Sequence, residues 1–215
     1  MSDRKESQRA EQVLKKLKKA YPKVESALEY QSPFELLIST ILSAQCTDKR
    51  VNIITKTLFK KYKKPKDYLK VSNLELEKDI YSTGFYRQKT RSIKKCCSIL
   101  IEKYNGKIPS DFDELTKLPG VGRKTASVIA GNAFGIPAIA VDTHVIRLSN
   151  LLGFVETANP EAIEKRLKEL LPKKDWVKIS HLLATHGRNI CIARRPKCDE
   201  CFLADMCPGF QSNNK

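Results

Sequence analysis

The chain has 215 residues, 41% of them hydrophobic, and its 40 Lys and Arg against 24 Asp and Glu give a formal net charge of +16. That length and apolar content support one sizeable core or two modest lobes and exclude a fibrous or disordered chain. The positive balance points to a polyanion bound with strong salt dependence, nucleic acid first, although charge alone also fits a lysine-rich solvated surface.

Charges recur every few residues up to Lys19, so the N-terminus offers no secretory signal, and the protein is expected in the cytoplasm, associated with the nucleoid. Val13, Leu14, Leu17 and Tyr21 lie on one side of an amphipathic helix expected to pack back onto the second of two lobes. Ser32-Pro33-Phe34-Glu35 combines an N-cap serine, a proline at the first helical position and a capping-box glutamate. With Phe34, Leu37, Ile38, Ile41 and Leu42 at helical spacing, it predicts a helix over 33–45. Val51–Phe59 repeats at three and four, Ser72-Asn73-Leu74-Glu75 opens another helix, and Ile93–Ile101 again repeats at three and four. The uncharged run Thr125–Val141 is broken by Gly131, Asn132, Gly135 and Pro137, which suits a buried helix and a turn rather than a membrane span. Pro137 marks the expected crossing from one lobe to the other. Beyond it, Thr143–Leu148 reads as a helix, and Asn159-Pro160 starts one whose apolar face is Ile163, Leu167, Leu170 and Leu171. A last helix over Trp176–Thr185 is expected to end at Gly187. No segment alternates with period two, so the fold class is all-α with short loops.

Between two apolar helical stretches lies Leu118-Pro119-Gly120-Val121-Gly122-Arg123-Lys124-Thr125. Its glycines let the backbone turn tightly, and the N–H groups opening the next helix suit a phosphate. This is the hairpin of a helix-hairpin-helix motif, which grips nucleic-acid backbone without reading sequence, although an ordinary helix–helix turn has similar composition. Lys124 sits where the helix dipole disfavours a cation, a small cost for a phosphate contact and an advantage where an unprotonated amine must act as a nucleophile. By type alone, phosphate contact is the commoner role. Asp142, after four apolar residues, fits an N-cap for the helix beginning at Thr143, and equally a carboxylate that relays protons and stabilises positive charge on a sugar. His144 suits a phosphate contact better than a metal, because His181 and His186 give no metal-binding spacing with it. Gln45, at the expected end of the first capped helix, is by type a polar helix-end residue; against DNA its amide has the size to fill the space of an extruded nucleotide.

Cys191, Cys198, Cys201 and Cys207 form a C-x6-C-x2-C-x5-C array. One C-x-x-C flanked by longer arms suits a cubane iron–sulfur cluster on four thiolates, and spacing alone is also compatible with zinc. The remaining Cys46, Cys96 and Cys97 leave an odd total in ordinary helical patterns, which argues against disulfides and for a reducing interior.

Taken together, L-P-G-V-G-R-K-T-A at 118–126, V-D-T-H at 141–144, L-S-A-Q-C-T-D at 42–48 and H-G-R-N-I-C-I-A-R-R-P-K-C leading into the cysteine loop resemble the endonuclease III family, bifunctional DNA glycosylases and abasic-site lyases. The resemblance runs from about Tyr21 to Pro208. It implies two helical lobes flanking a DNA-binding cleft. One is a six-helix barrel over 26–136, with the helix-hairpin-helix near 115–133. The other is a discontinuous iron–sulfur domain of 1–25 and 137–215, with its cluster loop at 191–207.

By the same resemblance, Lys124 is the Schiff-base nucleophile, Asp142 the essential carboxylate, and the four C-terminal cysteines ligate one [4Fe-4S] cluster. The implied DNA-binding residues are Gln45, Phe85, Gly120, Val121, Gly122, Arg123, Thr125, Thr143, His144, Arg194, Arg195 and Lys197. Phe85 stands where relatives commonly carry an aliphatic wedge. The implied activity is removal of oxidised pyrimidines from duplex DNA, followed by β-elimination 3′ to the abasic site. No nucleotide cofactor and no catalytic divalent metal is called for. The expected partner is damaged double-stranded DNA, with no membrane, and the expected state is a monomer. A monofunctional adenine-removing glycosylase is opposed by Lys124 and by the expectation of no further recognition domain after Cys207. A non-catalytic DNA-binding module is opposed by the presence of both Lys124 and Asp142.

Overall fold

The computed structural model describes residues 2–213, and among them every regular element is helical, with no strand. By contact density the chain forms two compact units, one of Ser26–Ile136 and one of Met1–Glu25 with Pro137–Lys215.

In the unit Ser26–Ile136, α2 (Pro33–Ser43) begins as the sequence dictates: the Ser32 hydroxyl accepts the Glu35 N–H at 3.2 Å and the Glu35 carboxylate accepts the Gln31 N–H at 2.6 Å. It ends two residues before the predicted 45, because Gln45 takes a left-handed conformation (φ 53°) and Thr47 caps a new helix, α3 (Asp48–Lys61), by accepting the Arg50 N–H. Eight of the eleven residues of α2 are buried, Ser39 and Thr40 among them, which makes it a central helix of this unit rather than a surface one. Against it pack α3, α6 (Tyr86–Tyr104) and α8 (Arg123–Phe134), with α4 (Pro65–Lys70) and α5 (Asn73–Ile80) on α6 and α7 (Phe112–Thr116) on α8. α4 and α7 are too short for a periodic apolar signal and exist through their caps. The Asp67 carboxylate accepts the N–H groups of Lys63 and Lys64, and Asp111 accepts that of Glu114. α6 contributes Ile93, Cys96, Cys97 and Leu100 to the core.

In the other unit, α1 (Ser2–Ala20) buries Ala10, Val13, Leu14 and Leu17 in one core with Val145 and Leu148 of α9 (Thr143–Leu151), Ile163 and Leu167 of α10 (Pro160–Leu170), and Ile179, Leu182 and Leu183 of α11 (Trp176–Asn189). The beginning and the end of the chain therefore share one hydrophobic cluster, and each fully buried leucine contributes roughly 2 kcal/mol. A short α12 (Pro208–Asn213) follows the cysteine loop.

One expectation is corrected here. Gly187 does not end its helix: α11 continues to Asn189. A Cβ at Gly187 would lie 2.7 Å from the His144 ring and 3.0 Å from the Arg147 guanidinium, so the glycine exists to let α9 approach α11. No helix among the described residues is long and apolar enough to cross a membrane.

Candidate functional site

The hairpin in the unit Ser26–Ile136 is closed by its own backbone: Leu118 N–H donates to Leu115 O at 3.1 Å and Val121 N–H to Leu118 O at 3.0 Å. Leu115, Leu118 and Val121 are buried and fix the turn to the core. Gly120 has φ 84°, and a Cβ there would lie 3.1 Å from that of Ser92, so conformation and space both demand glycine. Gly122 is the extended N-cap of α8, with no side chain to satisfy the helix's first amides and no acidic residue in the first turn. Nothing lies within 4 Å of where its Cβ would be. The start of α8 thus has no capping side chain and open space beside Gly122, an arrangement that favours an anion. Arg123 and Lys124, the first two helical residues, are exposed, and Thr125 is half-buried. The Arg123 guanidinium sits 5.4 Å from the centre of the Phe112 ring, which ties α8 to α7.

Gln45 and Phe85 stand on two other loops of this unit. Both are exposed and both are left-handed, with φ 53° and 48°. For a residue with a Cβ that conformation costs about 1–2 kcal/mol, so the surrounding structure must hold it. Phe85 is 59% exposed, a large aromatic left in water. Lys89, which the sequence reading does not single out, joins these loops. It is 4% exposed, and its ammonium donates to Leu42 O at 2.7 Å and Thr83 O at 2.8 Å. The signal was available: Lys89 stands four residues before Ile93, on the buried stripe that continues through Cys96 and Leu100. A lysine in apolar register marks a buried ammonium with acceptors to find.

In the other unit, Asp142 is the extended N-cap of α9, and one carboxylate oxygen accepts the Val145 N–H at 2.8 Å. Thr143 follows it, exposed. His144 is half-buried against Gly187, with Nδ1 3.2 Å from the Arg147 guanidinium. The same guanidinium donates to Gly187 O at 3.1 Å and Cys191 O at 2.7 Å, so α9 anchors the point where the cysteine loop departs from α11. This role of Arg147 has no marker in the linear sequence.

All four thiols of the loop, Cys191, Cys198, Cys201 and Cys207, are unpaired, half-buried and line one cavity of about 70 Å³. Short 3₁₀ turns carry them: Cys201 N–H donates to Cys198 O at 3.1 Å and Cys207 N–H to Ala204 O at 3.2 Å. Burial raises the pKa of the Cys191 and Cys201 thiols, with Arg147 opposing it at Cys191. His186, 2% exposed, places Nε2 3.5 Å from the Cys201 sulfur and Nδ1 3.0 Å from the Tyr21 hydroxyl, which orients the ring. Among the described residues, no group of three or more His, Cys, Asp or Glu is arranged to hold a metal ion. Arg194, Arg195 and Lys197 form the exposed arm between the first two cysteines.

The family model described as HhH-GPD superfamily base excision DNA repair protein matches residues 38–173, and that of the iron-sulfur binding domain of endonuclease III matches residues 191–207. Endonuclease III of Bacillus subtilis strain 168 is 49% identical over 203 residues, covering 94% of this chain and 93% of the relative. The chain belongs to the endonuclease III family. Endonuclease III of Escherichia coli K12 is 41% identical over 196 residues, covering 91% and 93%. Among solved structures, a trapped endonuclease III–DNA covalent intermediate and a non-covalent endonuclease III–DNA complex each match with a TM-score of 0.92 and 47% identity over 97% of this chain and 99% of theirs. The shared fold therefore spans both units of this endonuclease III family member.

Proposed function

We infer that this chain is the base-excision-repair DNA glycosylase and abasic-site lyase that its family membership indicates, acting on duplex DNA with oxidised pyrimidines as the bases removed. The observation that carries the reading is Lys124, exposed at the second position of α8, directly after an uncapped Gly-Val-Gly turn. The turn would hold a DNA phosphate on the opening amides of α8, with Gly120, Val121 and Gly122 shaping it and Arg123 and Thr125 flanking it. That contact brings a sugar within reach of Lys124.

In the proposed reaction the damaged base leaves the stack, and Gln45 and Phe85 fill and wedge the space it vacates. The Lys124 amine attacks C1′ as the bond to the base breaks, and the departing base takes up a proton. The C1′–O4′ bond then breaks, O4′ taking up a proton and staying on C4′ as a hydroxyl, and the ring-opened sugar is left as an imine on Lys124. Removal of a proton from C2′ then expels the 3′ phosphate, which nicks the strand, and water releases the lysine. Asp142 supplies the carboxylate that relays protons and balances positive charge on the sugar. Thr143 and His144 at the start of α9, and Arg194, Arg195 and Lys197 on the loop, meet backbone phosphates. This chemistry calls for neither a nucleotide cofactor nor a catalytic divalent metal.

Cys191, Cys198, Cys201 and Cys207 would hold one [4Fe-4S] cluster. In support, the four thiols border one cavity, and the iron-sulfur binding domain model spans the same residues, 191–207. The cluster's contribution when bound is structural: it crosslinks the loop that carries the basic arm. The architecture that follows is a six-helix barrel over 26–136, with its helix-hairpin-helix near 115–133, and a cluster domain of 1–25 with 137–215. The protein works as a monomer.

The test is borohydride trapping of the purified protein on a duplex with one oxidised pyrimidine, beside Lys124→Ala. A covalent adduct with the unaltered protein alone is expected. Base release without an adduct would make the enzyme monofunctional, and an adduct with Lys124→Ala would move the nucleophile elsewhere.

A further inference from the structure

The two loops that carry Gln45 and Phe85 are far apart in sequence and meet at one atom. Lys89 Nζ donates to Leu42 O, three residues before Gln45, and to Thr83 O, two residues before Phe85. Leu42 O belongs to the last turn of α2, where carbonyls lack intrahelical partners and the helix dipole favours a cation. Thr83 closes the short 3₁₀ turn Tyr81–Thr83 and is followed by Gly84 at φ 70° and by Phe85, the left-handed N-cap of α6. Lys89 begins from the same place, since its N–H donates to Phe85 O at 3.0 Å. Its side chain is therefore rooted behind one loop and reaches the base of the other. Among the described residues, three non-glycine residues have positive φ: Gln45 and Phe85 follow the two carbonyls that this ammonium holds, and the third, Asn105, terminates α6.

We propose that Lys89 is a positioning residue that clamps the Gln45 and Phe85 loops into one rigid unit, so that both side chains enter a damaged duplex together. This rests on the reading of Gln45 and Phe85 as the residues that enter the stack. A buried ammonium has no stability advantage over an apolar side chain of similar length unless its acceptors need it. Here it satisfies two carbonyls that would otherwise be buried without donors, and it fixes two strained turns at once. With the loops independent, the entropy of ordering each would oppose every binding event at a lesion; the clamp removes that cost beforehand.

The experiment compares Lys89→Met and Lys89→Arg with the unaltered, cluster-loaded protein. It measures affinity for a duplex carrying a tetrahydrofuran abasic analogue and for the same duplex intact. Lys89→Met is expected to lose about tenfold of the preference for the analogue, the scale of losing charge-assisted hydrogen bonds, with affinity for intact duplex unchanged. Lys89→Arg, which keeps donors, is expected to recover part of the preference. An equal loss on both duplexes would reduce Lys89 to a stability role and overturn the proposal, as would an unchanged preference. The double variant Gln45→Ala with Phe85→Ala separates the two layers. If it loses the preference while Lys89→Met keeps it, only the clamp is wrong; if it keeps the preference, the underlying assignment of the two side chains fails and the clamp with it. Should Lys89→Met not fold, hydrogen exchange on the unaltered protein decides. One shared opening free energy for segments 42–46 and 83–86 is expected, and unrelated values would overturn the clamp.

Discussion

Asp142 has an evident structural duty and a proposed chemical one, which sequence cannot separate and substitution can. Its carboxylate caps α9 through the Val145 N–H, and asparagine caps about as well as aspartate, whereas alanine forfeits about 1 kcal/mol. Asp142→Asn should therefore keep the melting temperature of the unaltered protein while lowering the single-turnover rate by about 10²- to 10⁴-fold, the usual weight of a positioned proton-transfer group. If Asp142→Asn retained full rate, the carboxylate would be a cap and nothing more. Lys124 presents the opposite case: its exposed side chain makes no hydrogen bond to the described residues, so its replacement should leave stability intact and report on chemistry alone. Both residues stand in motifs that are local in the sequence. Lys89 is marked in the sequence only as a lysine in apolar register, and Arg147 not at all, because what each does depends on carbonyls brought from distant segments: Leu42 and Thr83 for one, Gly187 and Cys191 for the other.

At the scale of elements, caps announced helix starts well and helix ends less well. Ser32, Ser72 and Asn159 all cap as their motifs require, since a side chain and an amide two or three residues away are set by local geometry. Glycine was the weaker guide, because a helix tolerates it wherever tertiary contact outweighs its roughly 1 kcal/mol propensity cost. Gly187 lies within α11 for that reason, facing His144 and Arg147. Gly187→Ala should destabilise the protein by about 1–3 kcal/mol despite alanine's better helix propensity, because the added methyl must displace a packed ring or guanidinium. Thermal unfolding measures this, and a stabilised variant would show that α9 can retreat at no cost. α4 escaped the sequence altogether, and α7 was implied only as the helix leading into the hairpin, since both are shorter than the two turns over which a 3.6-residue period becomes visible.

For the molecule as a whole, a net charge of +16 means that duplex binding is governed by released counterions, with an affinity that falls steeply as salt rises. The cysteine loop should control part of that slope, because it presents Arg194, Arg195 and Lys197. Cys198→Ala is expected to lose its iron, measured by metal analysis and visible absorption, and to reduce the slope of log affinity against log salt by about 2–3, the contribution of three phosphate contacts. Full iron content, or an unchanged slope in an iron-free protein, would detach the loop from DNA binding. The same loop depends on both chain ends: Lys16 of α1 donates to Phe202 O at 3.1 Å and to Asp205 at 2.8 Å. Truncation at the N-terminus would thus strip the core of Val13, Leu14 and Leu17 and unseat the loop as well.

The all-helical class, the starts of most helices, the hairpin, the four-cysteine array and the family can all be read along the chain, since each is written in residues close together. What those residues lean on emerges only on folding: the glycine that admits α9 against α11, the arginine that anchors the cysteine loop, and the buried lysine between the Gln45 and Phe85 turns. The physical reason is range. Caps and turns are bonded within a few residues, whereas a buried charge is defined by acceptors that only folding brings to it.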